Sequence, residues 1–367
     1  MKPLYEQIYE SLKQDIKSAK YEVGDQVPSE KELSTYYNVS TITTKKALEK
    51  LANEGLVYRK RGRGTFVAEN TSEVDHVKKD LTSEKLLFGL VLTGFDESFG
   101  NDLIASLEEA SLDKGFIILR RSLSIPSRED KVIRELLEYG IDGLIIIPAK
   151  AEHYSLEILK MVVNKFPLVL IDRSFKRLAA TTVSTDNKQA AKMGIDHLFD
   201  LGHENIGVLI PKDNDTTAIY DRINGIMEAF AEKKIVVNRE LWCSDIKSPH
   251  PTDGDLKKDI ETIKNHLREN PEITALFALE YNIALLAKRA VEQLNLMVPE
   301  DISILCFDSP PRNTLESNFT HIEQDEEVIG RLAISKLIEM QKGDFTIEDI
   351  HVPAKLVIGD STKKLDR

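Results

Sequence analysis

The chain has 367 residues, a formal net charge of −12, 41% hydrophobic and 30% charged residues, a size that predicts two or three globular domains. Its apolar runs, such as "LLFGLVL" at 86 to 92 and "GLIIIP" at 143 to 148, fall well short of the roughly 18 to 20 residues of a bilayer span, and the N-terminal "MKPLYEQIYESLKQD" turns acidic too early to read as a signal peptide. Cys243 and Cys306 stand apart without metal-ligand spacing, which fits buried reduced thiols in a cytoplasmic protein and no metal or cofactor.

The charge is uneven. Residues 1 to 70 hold 12 Lys and Arg against 10 Asp and Glu, net +2, so the remainder carries −14. That split predicts an N-terminal module facing a polyanion and an acidic body that does not.

In chain order, Leu4, Ile8, Leu12 and Ile16 recur every fourth residue and predict a helix from about 4 to 19. After the turn "YEVGDQVP", Ser29 and Glu32 form a capping-box pattern that opens a short helix to about Tyr37. A further helix follows, capped by Ser40, with Ala47, Leu48 and Leu51 on one side and a stop at Asn53-Glu54-Gly55. "LVYR", the tip "KRGRG" and "TFVA" then read as a hairpin. This is a helix-turn-helix with a β-ribbon, an α+β domain at 1 to 68. Residues 69 to 84 are polar and without period, which predicts a linker.

From 85 to 367 the period changes. Short apolar strands near 86 to 93, 116 to 121, 143 to 148, 167 to 172, 205 to 210, 275 to 280 and 302 to 308 alternate with helical segments of 10 to 16 residues. Continuous apolar strands between amphipathic helices predict parallel sheets covered on both faces. The length suits two doubly wound lobes, with chain crossovers expected near 184, 310 and 342.

Two sets of residues carry chemistry. The helix after Ser40 exposes Thr41, Thr43, Lys45 and Lys46, whose hydroxyls and ammonium groups suit base edges and phosphates in a major groove. The hairpin tip packs Arg59, Lys60, Arg61 and Arg63 into five positions, a local cation density suited to a phosphate backbone or a minor groove. In the body, Thr93, Asp172, Glu280 and Asp308 directly follow apolar strands, and Arg222 follows the loop after 205 to 210. Ligands of doubly wound sheets bind at those strand ends. Carboxylates with one guanidinium suit a polyhydroxylated ligand, and Phe99 or Trp242 would supply an aromatic wall.

Residues 4 to 68, through "VPSEKELSTYYNVSTITTKKALEKLANEGLVYRKRGRGTFV", resemble the GntR-type winged-helix domain. The resemblance implies operator contacts by Lys31, Thr41, Thr43, Lys45, Arg61, Arg63 and Gly64. Thr41 and Lys45 stand where that family usually has arginine, so its bidentate forks are not available here, and Thr44 replaces a usual aliphatic core residue. Residues 85 to 367, through "YGIDGLIIIP", "LVLIDRS", "YDRINGIMEAF", "VPEDISILCFD" and "FTHIEQDEEVIGRLA", resemble the LacI-type effector domain, itself similar to periplasmic sugar-binding proteins. That resemblance implies effector contacts by Asp172, Arg222 and Asp308, with Gln324 at the same cleft and Glu280 where the family's amide contact stands.

Together the two resemblances imply a transcriptional regulator, a homodimer on an inverted-repeat operator in double-stranded DNA, released by a small sugar such as L-arabinose or another pentose or hexose. A purine or other metabolite as effector, or a ligand that tightens DNA binding, is the alternative. An enzyme or transport-type binding protein with an incidental basic hairpin is a third reading, but no phosphate loop, G-x-S-x-G or H-E-x-x-H motif is present and the histidines are scattered.

Overall fold

A computed structural model describes residues 4–18, 20–37, 39–54, 56–60, 64–68, 85–94, 99–212, 215–247, 253–308 and 318–365. The chain divides into two compact units, Met1–Glu84 and Lys85–Arg367.

The first unit holds helices α1 (Leu4–Lys17), α2 (Glu30–Tyr37) and α3 (Thr41–Asn53), followed by strands β1 (Val57–Lys60) and β2 (Gly64–Val67). The capping box forms: Glu32 accepts from Ser29 N–H at 2.8 Å, and Ser29 Oγ accepts from Glu32 N–H at 3.3 Å. Ser40 caps α3 by accepting from Thr43 N–H. Ile8, Leu12, Leu33, Leu48 and Leu51 are buried as one core between the three helices and the hairpin.

Antiparallel β1 and β2 are joined by a third extended segment. Gly24 N–H donates to Val67 O, Val67 N–H to Asp25 O, and Val27 N–H to Thr65 O. Gly64 sits where this segment crosses the hairpin, at φ +118, and a Cβ there would lie 2.3 Å from Gln26 Nε2. The backbone is what favours glycine there, since the Gln26 amide is the far end of a flexible side chain.

The second unit contains two six-stranded sheets. In the N-lobe the order is β13 (Asp349–Val352), β7 (Thr181–Thr185), β6 (Leu168–Ile171), β5 (Gly143–Ile146), β3 (Leu86–Leu92) and β4 (Gly115–Arg121), all parallel. Helices α4 (Asn101–Ser111) and α11 (Glu326–Gln341) cover one face, and α5 (Pro126–Tyr139) and α6 (Leu156–Val163) the other. In the C-lobe the order is β14 (Lys355–Val357), β12 (Thr320–Glu323), β11 (Ser303–Phe307), β10 (Ala275–Ala278), β8 (Ile206–Pro211) and β9 (Trp242–Ile246), antiparallel only at β14. There α7 (Asn187–Asp200) and α8 (Thr217–Lys233) cover one face, α9 (Asp253–Glu269) and α10 (Tyr281–Gln293) the other.

The strands missing from the sequence reading are β7, β9, β12, β13 and β14. Strand β7, "TTVST", is buried throughout although four of its five residues carry hydroxyls, so it lacks the apolar run by which a two-sided strand is recognised. The chain passes between lobes three times: at Asp186, at Gln324–Asp325, and between Val352 and Lys355. The first lies beside the position expected near 184. The crossovers expected near 310 and 342 are corrected to the other two, because β12 pairs parallel with β11 and keeps the chain in the C-lobe until Glu323, while β13, after α11 ends at Gln341, pairs parallel with β7 and keeps it in the N-lobe until Val352.

Candidate functional site

In the first unit, α3 presents two faces. Lys46 Nζ lies 4.4 Å from the Tyr5 ring centroid and Lys50 Nζ 4.3 Å from that of Tyr9, so both cations lean on α1. Thr41 and Lys45, four residues apart, form an exposed stripe with Lys45 Nζ 3.9 Å from Glu49, and Lys31 is exposed on α2. Thr43 is half-buried, its hydroxyl within 2.9 Å of Ser40 Oγ at the cap. Arg61 and Arg63 lie outside the described residues.

Thr44, the polar substitute for an aliphatic core residue, is fully buried, and its hydroxyl donates to Glu30 O and Thr41 O, each at 3.0 Å. The hydroxyl is therefore satisfied and ties the start of α2 to α3. A second tie joins α1 to the end of α3: Glu54 accepts from Lys13 Nζ at 2.6 Å and from the Tyr9 hydroxyl.

In the second unit the carboxyl edges of the two sheets hold the candidate ligand contacts. Asp172 and Asp308 follow β6 and β11 directly, and both adopt a left-handed backbone, φ +65 and +74. Outside glycine this region is sparsely populated, with Asp among the residues that tolerate it. Backbone in such sparsely populated regions clusters at ligand-binding and active sites. The Asp172 carboxylate accepts from Arg173 Nε at 3.0 Å.

Asp308 accepts from Gln324 Nε2 at 2.6 Å, and Gln324 Oε1 in turn accepts from Thr185 Oγ1 at 2.5 Å. Asp308, Gln324 and Thr185 are all buried. This chain of hydrogen bonds links the ends of β7 and β11 through the second crossover.

Arg222 on α8 is 4% exposed. Its Nε donates to Asn187 Oδ1 at 2.8 Å, its Nη1 to Leu279 O at 2.6 Å, and the guanidinium lies 3.8 Å from the centroid of the Phe307 ring. All three partners are neutral, and among the described residues no carboxylate lies within 4.0 Å ion-pair distance of the guanidinium. A buried cation held by neutral dipoles favours an electron-rich ligand atom. The approach of α8 to α7 that makes this possible depends on Gly225, where a Cβ would lie 2.0 Å from Lys188 O.

Glu280 stands at the start of α10, half-buried, and its side chain does not cap that helix. Phe99 is partly buried against the N-lobe core just before α4. Trp242 does not complete the pocket. It begins β9 and pairs with Val208, which puts it at the amino end of the sheet, away from the edge that carries Asp308; there it packs on the C-lobe cores under the Arg239 guanidinium, 4.1 Å from its centroid.

Three polar residues of this region escaped the sequence reading. Asn187 orients Arg222. Glu326, the first residue of α11, reaches the start of α4, where its Oε2 accepts from Gly100 N–H at 2.8 Å and Leu103 N–H at 2.9 Å. Burial pushes its carboxyl up to about 7 against those two hydrogen bonds, with Asp308 and Asp102 adding to the rise. Glu129 on α5 is fully buried and accepts from Ala149 N–H at 2.6 Å. Its carboxyl is likewise raised to about 7, by burial first. In a bare sequence each is one acid among 61, and an acid near a helix start reads as an ordinary end charge.

Among the described residues no group of His, Cys, Asp or Glu could hold a metal ion, and no helix is long and apolar enough to cross a membrane. Cys243 and Cys306 are free and buried, and burial raises both thiols.

Comparison with known proteins agrees with this division. Residues 4–67 match the model of bacterial regulatory proteins of the gntR family, and residues 195–362 that of a periplasmic binding protein-like domain. The chain is 27% identical over 375 residues to an arabinose metabolism transcriptional repressor of Geobacillus stearothermophilus, covering 99% of this chain and 98% of the relative. It is 27% identical over 373 residues to the protein of the same name in Halalkalibacterium halodurans, covering 96% of each. The fold also matches a LacI family transcriptional regulator of Enterococcus faecium solved with bound ribose, with a TM-score of 0.63 and 21% identity over 76% of this chain and all of that one. The chain is thus a DNA-binding transcriptional regulator that joins a GntR-type winged helix to a LacI-like, periplasmic-binding-protein-type sensor.

Proposed function

We propose that this regulator is a repressor of sugar-catabolism genes, that it binds an inverted-repeat operator as a homodimer in the cytoplasm, and that a small neutral sugar releases it. The observation that carries the reading is the cleft chemistry. Asp172 and Asp308 extend acceptors from equivalent strand ends of two lobes, and Arg222 offers a guanidinium held only by neutral groups. A ligand rich in hydroxyls donates to both carboxylates and accepts from the guanidinium. A phosphorylated sugar would bring its anion against these acids. The names of the arabinose-repressor relatives and the ribose in the Enterococcus faecium structure point to the same ligand class.

On the DNA side, Thr41, Lys45 and Lys31, all exposed, would meet a major groove, with Arg61, Arg63 and Gly64 as the further contacts expected from the basic hairpin. Effector binding shifts the balance between two lobe arrangements, and the coupling expected for such a switch is about 1–3 kcal/mol, roughly 5- to 150-fold in operator affinity. The site is read as a sensor without turnover. The test is fluorescence anisotropy on an inverted-repeat fragment taken upstream of the regulator's own gene and its neighbours, titrated with L-arabinose, other pentoses, hexoses and purine bases. A pentose or hexose that releases the fragment supports the reading. Release by a purine alone, tighter binding with sugar, or chemical conversion of the sugar would each replace it.

A further inference from the structure

Three buried polar atoms without a hydrogen-bond partner among the described residues, Glu129 Oε1, Asp130 Oδ1 and His153 Nε2, gather where the first turn of α5 meets the segment between β5 and α6. That helix grips the segment at two points. Glu129 Oε2 accepts from Ala149 N–H at 2.6 Å, and Asp130 Oδ1 stands 3.6 Å from His153 Nε2, an ion pair when the ring is protonated. Between the two grips, Ala151 turns its N–H outward to the carbonyl of Asp215 in the C-lobe at 3.2 Å and accepts from Lys176 N–H at 2.7 Å.

Around this point the lobes touch again. Lys176 Nζ lies 3.8 Å from Asp215, and Ser174 N–H donates to Thr217 Oγ1 at 2.9 Å. Residues 215 and 217 follow β8, three strands away from the crossover strand β12 in the C-lobe sheet. The contact therefore closes the lobes at a place separate from their covalent connections.

The geometry points to Glu129 as a positioning residue for lobe closure: its carboxylate holds the segment after β5 in the shape that presents Ala151 N–H to Asp215. An apolar side chain would fill the same buried space without the cost of desolvating a carboxylate. What the acid supplies is an acceptor for a backbone N–H that would otherwise be buried unpaired. The inference concerns the contact between lobes and stands whichever ligand the cleft takes.

The charged groups around Glu129 are Asp130 on its own helix and Arg173 after β6, with His153 facing Asp130. Burial raises the Glu129 carboxyl to about 7; Ala149 N–H and Arg173 pull against that rise and Asp130 adds to it. An ionised carboxylate accepts the Ala149 N–H more strongly than a neutral acid, but its burial outweighs that gain, so the arrangement binds the proton and the grip loosens as pH rises through 7.

The test traps the contact covalently. Ser174 Oγ and Thr217 Oγ1 are 3.5 Å apart, so a full-length S174C/T217C variant forms a disulfide when the lobes touch, read as the rate of crosslinking by copper-phenanthroline without added ligand. The buried native cysteines are poor competitors. Adding E129A should slow crosslinking roughly tenfold, the loss expected for an unpaired buried N–H, while E129Q, which keeps an acceptor, should stay within about twofold at pH 6. From pH 6 to 8 the rate with Glu129 should fall relative to E129Q, which cancels the pH dependence of the engineered thiols and of His153. Crosslinking of the E129A protein at the parental rate, or E129Q losing as much as E129A, overturns the inference. If the alanine variant does not fold, the pH comparison decides, and a ratio flat between pH 6 and 8 overturns it.

Discussion

The two units solve opposite problems with opposite exposure. In the winged helix, Lys31, Thr41 and Lys45 are on the surface, while Lys46 and Lys50 lean back on tyrosine rings of α1. In the sensor, Asp172, Arg222, Asp308 and Gln324 are all buried and most are fixed by short hydrogen bonds. A DNA backbone is long and highly charged, and it is met by cations on flexible stems whose gain comes from counterion release. A small neutral ligand offers no such field, so its site must hold dipoles and charges already in place, with their desolvation settled in the fold.

If that contrast is real, mutations should separate cleanly into the two units. The largest effect falls on Arg222→Ala. It strips a buried guanidinium from Asn187 and Leu279 O, and calorimetry with the releasing sugar should show a loss of about 3 kcal/mol, at least 100-fold in Kd, with operator affinity of the ligand-free protein unchanged. A parallel fall in operator affinity would mean that the units do not act separately.

Next comes pH. The Glu326 carboxyl rises from an ordinary 4.5 to about 7 in the folded protein, so the fold binds the proton. Its contribution to stability is complete below pH 4.5 and is lost as pH rises through about 7, up to about 3 kcal/mol in all. Glu129 acts in the same direction. Denaturant titrations from pH 5 to 8 should show the sensor weakening, and E326Q should flatten that slope. In the winged helix, Glu32 and Glu54 are shifted the other way, held below the ordinary value by hydrogen bonds from Ser29 and from Lys13 and Tyr9.

Gly64→Ala sharpens the comparison from the other side. With φ +118, it should cost about 2 kcal/mol in the first unit and weaken operator binding at least tenfold while sugar affinity holds. Arg61→Ala with Arg63→Ala should reduce operator affinity about tenfold and lower the slope of log affinity against log salt by about 2 if both side chains meet phosphate. An unchanged slope would place them at base edges or away from DNA. The smallest effect belongs to Thr44→Val. It removes hydrogen bonds to Glu30 O and Thr41 O but restores an aliphatic core residue, so thermal unfolding should move by less than about 1 kcal/mol.

The same contrast separates what could be read in the chain from what could not. Helix periods and caps are local, so α1 to α3 and the hairpin follow from spacings such as Ser29 to Glu32 and from the apolar alternation around "KRGRG". That Asp172 and Asp308 directly follow apolar strands was legible because a strand end is itself a sequence feature, and the structure places both there with a left-handed backbone. Trp242 was misjudged by residue type, since an aromatic ring is equally at home in packing, and only the strand register puts it at the wrong end of the sheet.

By itself, then, the amino-acid order determined two modules of opposite charge, a winged helix and a doubly wound body, and which acids stand at the strand ends of that body. Tertiary structure alone decided that the hydroxyl-rich β7 is a buried strand, that the lobes exchange chain at Gln324–Asp325 and after Val352, and that Glu326 accepts from Gly100, 226 residues earlier. The physical reason is range. Periodicity and capping act over one or two turns of chain, whereas burial of a polar strand, pairing of a carboxylate and the balance of charge around Arg222 depend on groups that only folding brings together.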